Sequence, residues 1–215
     1  MIRAVATVLD AIDTRKHPDQ RFIVAIVGAP GAGKSTFADA LCSALNQTDA
    51  AAAEVLPMDG FHLDNAVLKG RGLLATKGAP ETFDADGFAS ILARIRRADK
   101  DVLVPVFDRD ADIARAAARV IKARTGVIIA EGNYLLLDRA QWAQTREHYD
   151  LTVFLEVPMP VLEQRLIERW IRCGLDRDAA VVRARRNDLV NASVVITQSV
   201  PADICINSQE EPTQC

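Results

Sequence analysis

The apolar residues of this chain fall into short runs that alternate with stretches of helical spacing. Five runs have the length of buried strands and predict the first to fifth strands, at residues 21–27, 54–59, 102–107, 126–132 and 150–157. A shorter run at residues 201–206 predicts one further strand. Strands that alternate with helices predict an α/β fold, here a five-stranded parallel sheet with helices on both faces.

Helices are predicted where apolar residues recur every three or four positions. They are expected over residues 2–15, from the glycine-rich segment to about Asn46, after a cap at Asp86, around 138–147, from Pro158 to the break at Gly174, and over 177–195. Residues 60–85 are predicted to form a long irregular loop, and residues 111–121 are compatible with helix or loop. The connection at 48–53 and the polar tail from Ser208 are predicted to lack regular structure.

The segment GAPGAGKS at residues 28–35 fits the P-loop pattern. A strand-like run precedes it and a helical pattern follows, which is the context that this motif requires. Its backbone N–H groups are expected to cradle phosphates, with Lys34 on the β- and γ-phosphates and Ser35 on Mg²⁺. The predicted ATP-binding residues are Gly28, Ala29, Pro30, Gly31, Ala32, Gly33, Lys34, Ser35 and Thr36. The alternative is a glycine-rich turn with an incidental lysine.

Further motifs follow the P-loop in order, at residues 58–62 (MDGFH), 77–84 (KGAPETFD), 105–108 (PVFD) and 131–134 (EGNY). Together with R-L-x-x-R from Arg165 and N-D-x-x-N from Asn187, they resemble the phosphoribulokinase, uridine kinase and bacterial pantothenate kinase superfamily. The resemblance is closest to bacterial proteins labelled fructose transport-system kinases or nucleoside-kinase-like proteins. It implies a P-loop NTPase fold with a small helical lid, at about residues 165–185, and a kinase that uses ATP and Mg²⁺.

The resemblance also implies roles for individual residues. Asp59 would be the general base that takes the proton of the acceptor hydroxyl, and Glu131 would help Ser35 to hold Mg²⁺. Arg165 and Arg169 would be lid arginines that stabilise charge on the moving phosphoryl group, with Lys34 as the remaining catalytic residue. The alternatives are a turn-forming aspartate before a glycine, a structural acid at a strand end, and a solvated helix face.

The acceptor pocket departs from the patterns of the superfamily. Uridine kinases carry Tyr-Asp and a following His where this chain reads VFDRDAD at residues 106–112, and the aromatic-Ser-His pattern of pantothenate kinases is also missing. The predicted substrate-binding residues are Asp59, His62, Asp84, Phe107, Asp108 and Arg109. His62 is equally compatible with a packed loop histidine. The adenine is expected near Asn187 and the backbone of residues 200–202.

Length and composition fit one domain over residues 1–215, since the chain has 215 residues of which 49% are apolar. A net charge of −3 and a pI near 5.7 argue against binding to nucleic acid. No apolar run approaches the roughly 20 residues of a membrane span. The cysteines show no CxxC spacing, which predicts reduced thiols in a cytoplasmic protein, at Cys42, Cys173, Cys205 and Cys215.

The sequence therefore favours a cytoplasmic kinase, a monomer or a homodimer, that phosphorylates a hydroxyl of a small molecule, possibly a sugar such as fructose. The alternatives are a kinase for a nucleoside or a pantothenate-like alcohol, and a nucleotide-binding regulator without phosphotransfer. Asp59 and the two lid arginines favour the enzyme, because a regulator has no need of a base opposite the γ-phosphate.

Overall fold

A computed structural model of the chain describes residues 1–17, 20–47 and 52–207. Its strands are β1 (Phe22–Gly28), β2 (Ala53–Pro57), β3 (Val102–Asp108), β4 (Ile113–Ile121), β5 (Val127–Gly132), β6 (Leu151–Glu156) and β7 (Ile204–Asn207). Its α-helices are α1 (Ile2–Arg15), α2 (Lys34–Leu45), α3 (Asn65–Gly70), α4 (Ala85–Arg97), α5 (Ala140–Arg146), α6 (Met159–Arg172), α7 (Arg177–Arg183) and α8 (Leu189–Gln198).

The central sheet consists of five parallel strands in the order β2-β5-β1-β6-β7. Strands β1 and β5 are buried along their whole length, as continuous apolar runs in a parallel sheet predict. One face of the sheet packs against α1, α2 and α6, and the other face packs against α4 and α5. The predicted α/β P-loop fold is thus confirmed, with helices on both faces.

Two predictions about the strands are wrong. Residues 102–107 were expected in the central sheet, but β3 pairs with β4 in a separate antiparallel hairpin, and β7 supplies the fifth parallel strand. Residues 111–121 were expected to be helix or loop, but all except the first two form β4. The hairpin strands are half covered or exposed over much of their length, so their sequence lacks the apolar signal of the buried strands.

The loop prediction for residues 60–85 is also incomplete, because this segment contains the short helix α3. Helix α4 is capped by the Asp84 side chain, which accepts a hydrogen bond from the Gly87 N–H at 2.9 Å. The prediction of a cap at Asp86 is therefore wrong by two residues. Gly60, at the start of this segment, packs closely against β3, because a Cβ at this position would lie 2.5 Å from the carbonyl oxygen of Pro105.

Three further expectations concern the cysteines, the membrane and the irregular segments. Cys42 and Cys173 are free thiols, but Cys205 is disulfide-bonded, so the prediction of a reduced thiol is wrong at that position. None of the helices in the described ranges is long and apolar enough to cross a membrane. Most of the predicted connection at 48–53, and the tail from Ser208, lie outside the described residues.

Candidate active site

The P-loop connects the carboxyl end of β1 to the first residue of α2. Gly33, the N-cap of α2, has a φ of 92°, in the left-handed region that glycine adopts without a steric cost. Lys34 begins the helix and folds back over the loop, where its Nζ donates a hydrogen bond to the carbonyl oxygen of Ala29 at 3.0 Å. The strand, glycine loop and helix that the motif requires are all present.

Two buried charged groups of opposite sign face each other beside this loop. Glu131 lies in β5, directly beside Ile26 of β1, and accepts a hydrogen bond from the Ser35 hydroxyl at 3.3 Å. Burial lowers the pKa of Lys34 to about 8, although Glu131 and Asp59 act in the opposite direction. Burial likewise raises the pKa of Glu131, against the attraction of Lys34. Burial therefore destabilises the charged form of both groups. An anion bound beside Lys34 and a cation bound beside Glu131 would reduce this cost.

The Ser35 hydroxyl and the Glu131 carboxylate fit a magnesium ion that is bound together with nucleotide phosphates. Both offer the oxygen ligands that Mg²⁺ prefers, and they lie beside the P-loop that would hold the phosphates. Within the described part of the chain no group of three or more His, Cys, Asp or Glu side chains could hold a metal alone. Such an ion would take its remaining ligands from phosphate oxygens and water.

Asp59 lies in a single turn of 3₁₀-helix, Met58–Phe61, that directly follows β2. Its Oδ2 accepts a hydrogen bond from Nη2 of Arg109 at 2.9 Å, and Arg109 follows the last residue of β3. The other oxygen, Oδ1, has no hydrogen-bond partner among the described residues. In the sheet, β5 lies between β2 and the P-loop strand β1, so Glu131 lies between Lys34 and Asp59.

A cavity of about 390 Å³ opens between the P-loop and the β3–β4 hairpin. Of the predicted site residues, it is lined by Pro30, Gly31, Gly33, Lys34, Ser35, Thr36, Asp59, His62, Phe107, Arg109, Glu131, Arg169 and Asn187. Every motif thus contributes residues to this cavity. The predicted site residues that do not line it are Gly28, Ala29, Ala32, Arg165, Asp84 and Asp108. Asp84 caps α4, and Asp108 accepts a hydrogen bond from the Ala111 N–H and pairs with Arg115.

The far end of this cavity is built from packed rings. The His62 ring lies between Phe83 and Phe107, with centroid distances of 4.1 and 4.4 Å. Its Nδ1 lies 2.8 Å from the carbonyl oxygen of Asp59, so this nitrogen carries the proton and donates. Burial lowers the pKa of His62, which keeps the ring neutral and leaves Nε2 as an acceptor. His62 is therefore both a packed loop histidine and a cavity-lining residue.

Lys77 and Asp112 are site residues that the sequence analysis missed. The Lys77 ammonium donates to Asn65 Oδ1 at 2.7 Å and to the Asp112 carbonyl at 2.8 Å, and it lies 2.9 Å from Asp112 Oδ1. Asn65 in turn donates to Asp112 Oδ2 at 2.8 Å. These contacts fasten the tip of the hairpin to α3 across the cavity. Lys77 lies in one of the recognised motifs, but its partners are distant in sequence.

A second and larger cavity, of about 1240 Å³, lies on the other side of the P-loop. It is lined by the start of α1, by the ends of β6 and β7, and by the predicted lid arginines of α6. Gly31, Gly33, Thr36 and Arg169 line both cavities, so the two spaces meet at the P-loop. Arg165 closes over this junction, where its Nη1 donates to the carbonyl oxygen of Gly31 at 3.3 Å.

Asn187 was expected beside the adenine, but its side chain faces the smaller cavity. Its Nδ2 donates to the carbonyl oxygen of Lys77 at 3.0 Å and so supports the loop that lines this cavity. Residues 200–202 line neither cavity, whereas Ile206 and Asn207 line the larger one. A base bound near the lid arginines would therefore contact the end of β7 and the start of α1.

Known proteins resemble this chain along nearly its whole length. Residues 23–213 match the sequence model of the Phosphoribulokinase / Uridine kinase family. A Schizosaccharomyces pombe protein named "Putative uridine kinase" is 32% identical over 207 residues, which cover 91% of this chain and 86% of that protein. A Listeria monocytogenes pantothenate kinase is 28% identical over 158 residues, which cover 73% of this chain and 52% of that enzyme.

Among solved structures, a protein from a Silicibacter species described as a "putative fructose transport system kinase" has a TM-score of 0.89 to this chain at 45% identity. The match covers 94% of this chain and 98% of that chain. A D-glycerate 3-kinase from Cryptococcus neoformans shares the fold, with a TM-score of 0.65 at 12% identity.

Proposed function

The chain belongs to the Phosphoribulokinase / Uridine kinase family of small-molecule kinases, and we propose that it transfers the γ-phosphoryl group of ATP to a hydroxyl of a small polar acceptor. The acceptor binds in the cavity of about 390 Å³, and the base and ribose of ATP bind in the larger one. The observation that carries this proposal is that the two cavities meet at the P-loop, with Asp59 on the acceptor side.

In this arrangement each charged residue has a separate role in phosphoryl transfer. The acceptor oxygen forms a bond to the γ-phosphorus, the bond from that phosphorus to the β,γ-bridging oxygen breaks, and ADP leaves. Asp59 takes the proton of the hydroxyl through Oδ1, while Arg109 holds Oδ2 and so fixes the carboxylate. Lys34 and Arg169 stabilise the negative charge of the phosphates, and Arg165 holds the lid against the P-loop.

A magnesium ion held by Ser35 and Glu131 would supply charge neutralisation on the β- and γ-phosphate oxygens. The site favours binding of this ion, because burial raises the pKa of Glu131 and so destabilises its carboxylate when no cation is bound. Binding of a cation next to Glu131 and of phosphates next to Lys34 relieves both desolvation costs at once.

The packing of the acceptor end supports a polyhydroxylated acceptor, such as a sugar, over a nucleoside. The ring of Phe107 is covered by His62 at 4.4 Å, and the Lys77 ammonium lies 5.1 Å from its centroid. The ring of Phe83 is packed against His62, Tyr134 and Trp142. A planar base would compete with these contacts for a stacking surface, whereas Asp59, Arg109 and the neutral His62 offer hydrogen bonds to hydroxyl groups.

An acceptor panel tests this proposal directly. The purified chain is given ATP, Mg²⁺ and one candidate at a time from sugars and sugar acids, nucleosides, and pantothenate-like alcohols, and ADP release and product mass are recorded. We expect acceptor-dependent ADP release with a sugar-like compound and a product heavier by one phosphate. Transfer to a nucleoside would overturn the choice of acceptor. ATP binding without transfer to any compound would favour a nucleotide-binding regulator.

A further inference from the structure

Two arginines converge on one tryptophan at the edge of the smaller cavity. The guanidinium carbon of Arg169, in α6, lies 5.5 Å from the ring centroid of Trp170, and that of Arg183, at the end of α7, lies 5.1 Å from it. All three residues line the cavity together with Lys34 and Ser35. Sequence analysis assigns Arg183 only to a helix and gives it no function.

Neither guanidinium forms a hydrogen bond or a salt bridge with any residue that the structure describes. Arg185, two residues further along, shows the usual behaviour of a surface arginine, since its Nε lies 2.6 Å from Glu163. Contact with an aromatic face can orient an arginine without using its N–H donors. Arg169 and Arg183 thus keep their donors for a ligand.

The tryptophan is itself fixed in place. Its Nε1 donates to Oδ2 of Asp188 at 2.5 Å, and Asp188 ends a π-helical turn, Ala184–Asp188, between α7 and α8. Such turns inside helices frequently occur at functional sites. Here the turn carries Asp188, the residue that anchors the indole, and it follows directly after Arg183.

The surroundings of Lys34 show what kind of ligand fits. Burial is the main cause of the lowered pKa of Lys34, and repulsion by Arg169 lowers it further, against the attraction of Glu131 and Asp59. Five cationic side chains line this cavity, and three of them, Lys34, Arg169 and Arg183, form no ion pair with a residue that the structure describes. A ligand with several negative oxygens, such as a polyphosphate, relieves this repulsion and occupies the free donors.

We propose that Arg183 is a further catalytic residue, which binds the phosphoryl group in transfer together with Arg169, and that Trp170 is a positioning residue for both guanidinium groups. The assignment rests on the proposed function, because it names the group in transfer. It predicts that α7 and not only α6 contributes to the phosphate site.

The first test compares Arg183→Ala with the matched control Arg177→Ala, which removes the same charge from the exposed first turn of α7. Loss of one donor to charge in the transition state lowers kcat by roughly 10²-fold. We therefore expect that loss for Arg183→Ala, a much smaller change in the KM for ATP, and wild-type kinetics for the control. Wild-type kcat in Arg183→Ala, or an equal loss in both variants, would overturn the proposal.

The second test concerns Trp170 and uses both kinetics and fluorescence. Trp170→Phe keeps an aromatic face and should retain most of kcat, whereas Trp170→Leu should lose kcat to the same extent as Arg183→Ala at an unchanged melting temperature. A merely structural role would affect both variants through stability. Equal kcat in the two Trp170 variants would overturn the positioning role.

The chain has only two tryptophans, and Trp142 is fully buried in the core, so Trp170 reports on the cavity. Sodium tripolyphosphate should change the tryptophan emission of the wild type and leave that of Trp170→Phe unchanged, with weaker binding in Arg183→Ala. This titration needs no acceptor. If no compound is phosphorylated, the proposed function fails, but the titration still decides whether Arg183 binds phosphates. Equal tripolyphosphate affinity in the wild type and in Arg183→Ala would refute the role of Arg183.

Discussion

Replacing Lys34 with methionine should make the ligand-free protein more stable at pH 7, although it removes the side chain that we propose holds the phosphates of ATP. The side chain is 9% exposed, and its ammonium donates one hydrogen bond to the Ala29 carbonyl. In the proposed function this charge acts only when phosphates are bound. Without them the protein bears the cost of a buried cation, and methionine has a similar length without the charge.

The magnitude follows from the pKa of Lys34, which falls from 10.5 to about 8 on folding. Each pKa unit corresponds to about 1.4 kcal/mol, so the charged form costs the fold about 3 kcal/mol at pH 7. Loss of the hydrogen bond to Ala29 offsets about 1 kcal/mol. The expected net gain of about 2 kcal/mol in the free energy of unfolding raises the melting temperature by roughly 4–8 °C for a domain of this size.

The gain has a defined pH dependence. Between pH 8 and 10.5 the unfolded chain binds the Lys34 proton and the folded protein does not, so the stability of the wild type rises with pH in that window. The advantage of Lys34→Met should therefore be full below pH 8 and should shrink toward pH 10.5. ATP at about a hundred times its Kd should stabilise the wild type by about 2.7 kcal/mol and the variant not at all.

Thermal unfolding at pH 7 and at about pH 9.5, with and without Mg-ATP, measures all of these differences. Lys69→Met is the control, since Lys69 is an exposed residue of α3, and it should change the melting temperature little. A ligand-free Lys34→Met protein that is less stable than the wild type at pH 7 would refute the reasoning, as would an advantage that does not decline with rising pH.

Three further variants test other parts of the site. Ser35→Ala should slow turnover at limiting Mg²⁺ and recover at saturating Mg²⁺, and a defect that ignores the metal concentration would contradict the metal role. Arg165→Ala should lower kcat by roughly 10²-fold with a smaller effect on the KM for ATP, since it loses the lid contact with Gly31. Asp112→Ala removes the carboxylate that pairs with Lys77 and Asn65, although Lys77 keeps its hydrogen bonds to Asn65 and to the backbone carbonyl of residue 112. At about 1.5–3 kcal/mol for a hydrogen bond to a charged group it should raise the acceptor KM by roughly 10–150-fold; an unchanged acceptor KM would contradict the fastening role.

The parts of the fold that could be predicted are those with a strong local signal. Helix α1 occupies Ile2–Arg15, the predicted range, because its apolar residues recur regularly on one face. The P-loop strand and helix follow in the same way from one buried run and one glycine pattern. The β3–β4 hairpin could not be predicted, since strand β4 is mostly exposed and rich in alanine, which carries no strand periodicity.

Contacts between segments that are far apart in the sequence could not be predicted either. Strands β1, β2 and β5 are similar apolar runs, so nothing in the sequence reveals that β5 lies between the other two. The P-loop and motif residues that line the smaller cavity could be named from the sequence. Lys77, Asp112 and Arg183 could not, because their significance depends on contacts with residues far along the chain.

The central claim is that Asp59 removes the proton of an acceptor hydroxyl, and Asp59→Asn tests it most directly. The variant keeps the shape of the side chain but cannot take a proton, and loss of a general base lowers the rate by about 10²–10⁴-fold. The control Asp64→Asn makes the same change at the N-cap of α3, where asparagine caps equally well. The measurement is the rate of phosphotransfer to the acceptor found in the panel, together with the affinity for ATP. We predict a loss of that size for Asp59→Asn with unchanged ATP affinity and a wild-type rate for Asp64→Asn; phosphotransfer by Asp59→Asn at the wild-type rate would contradict the account.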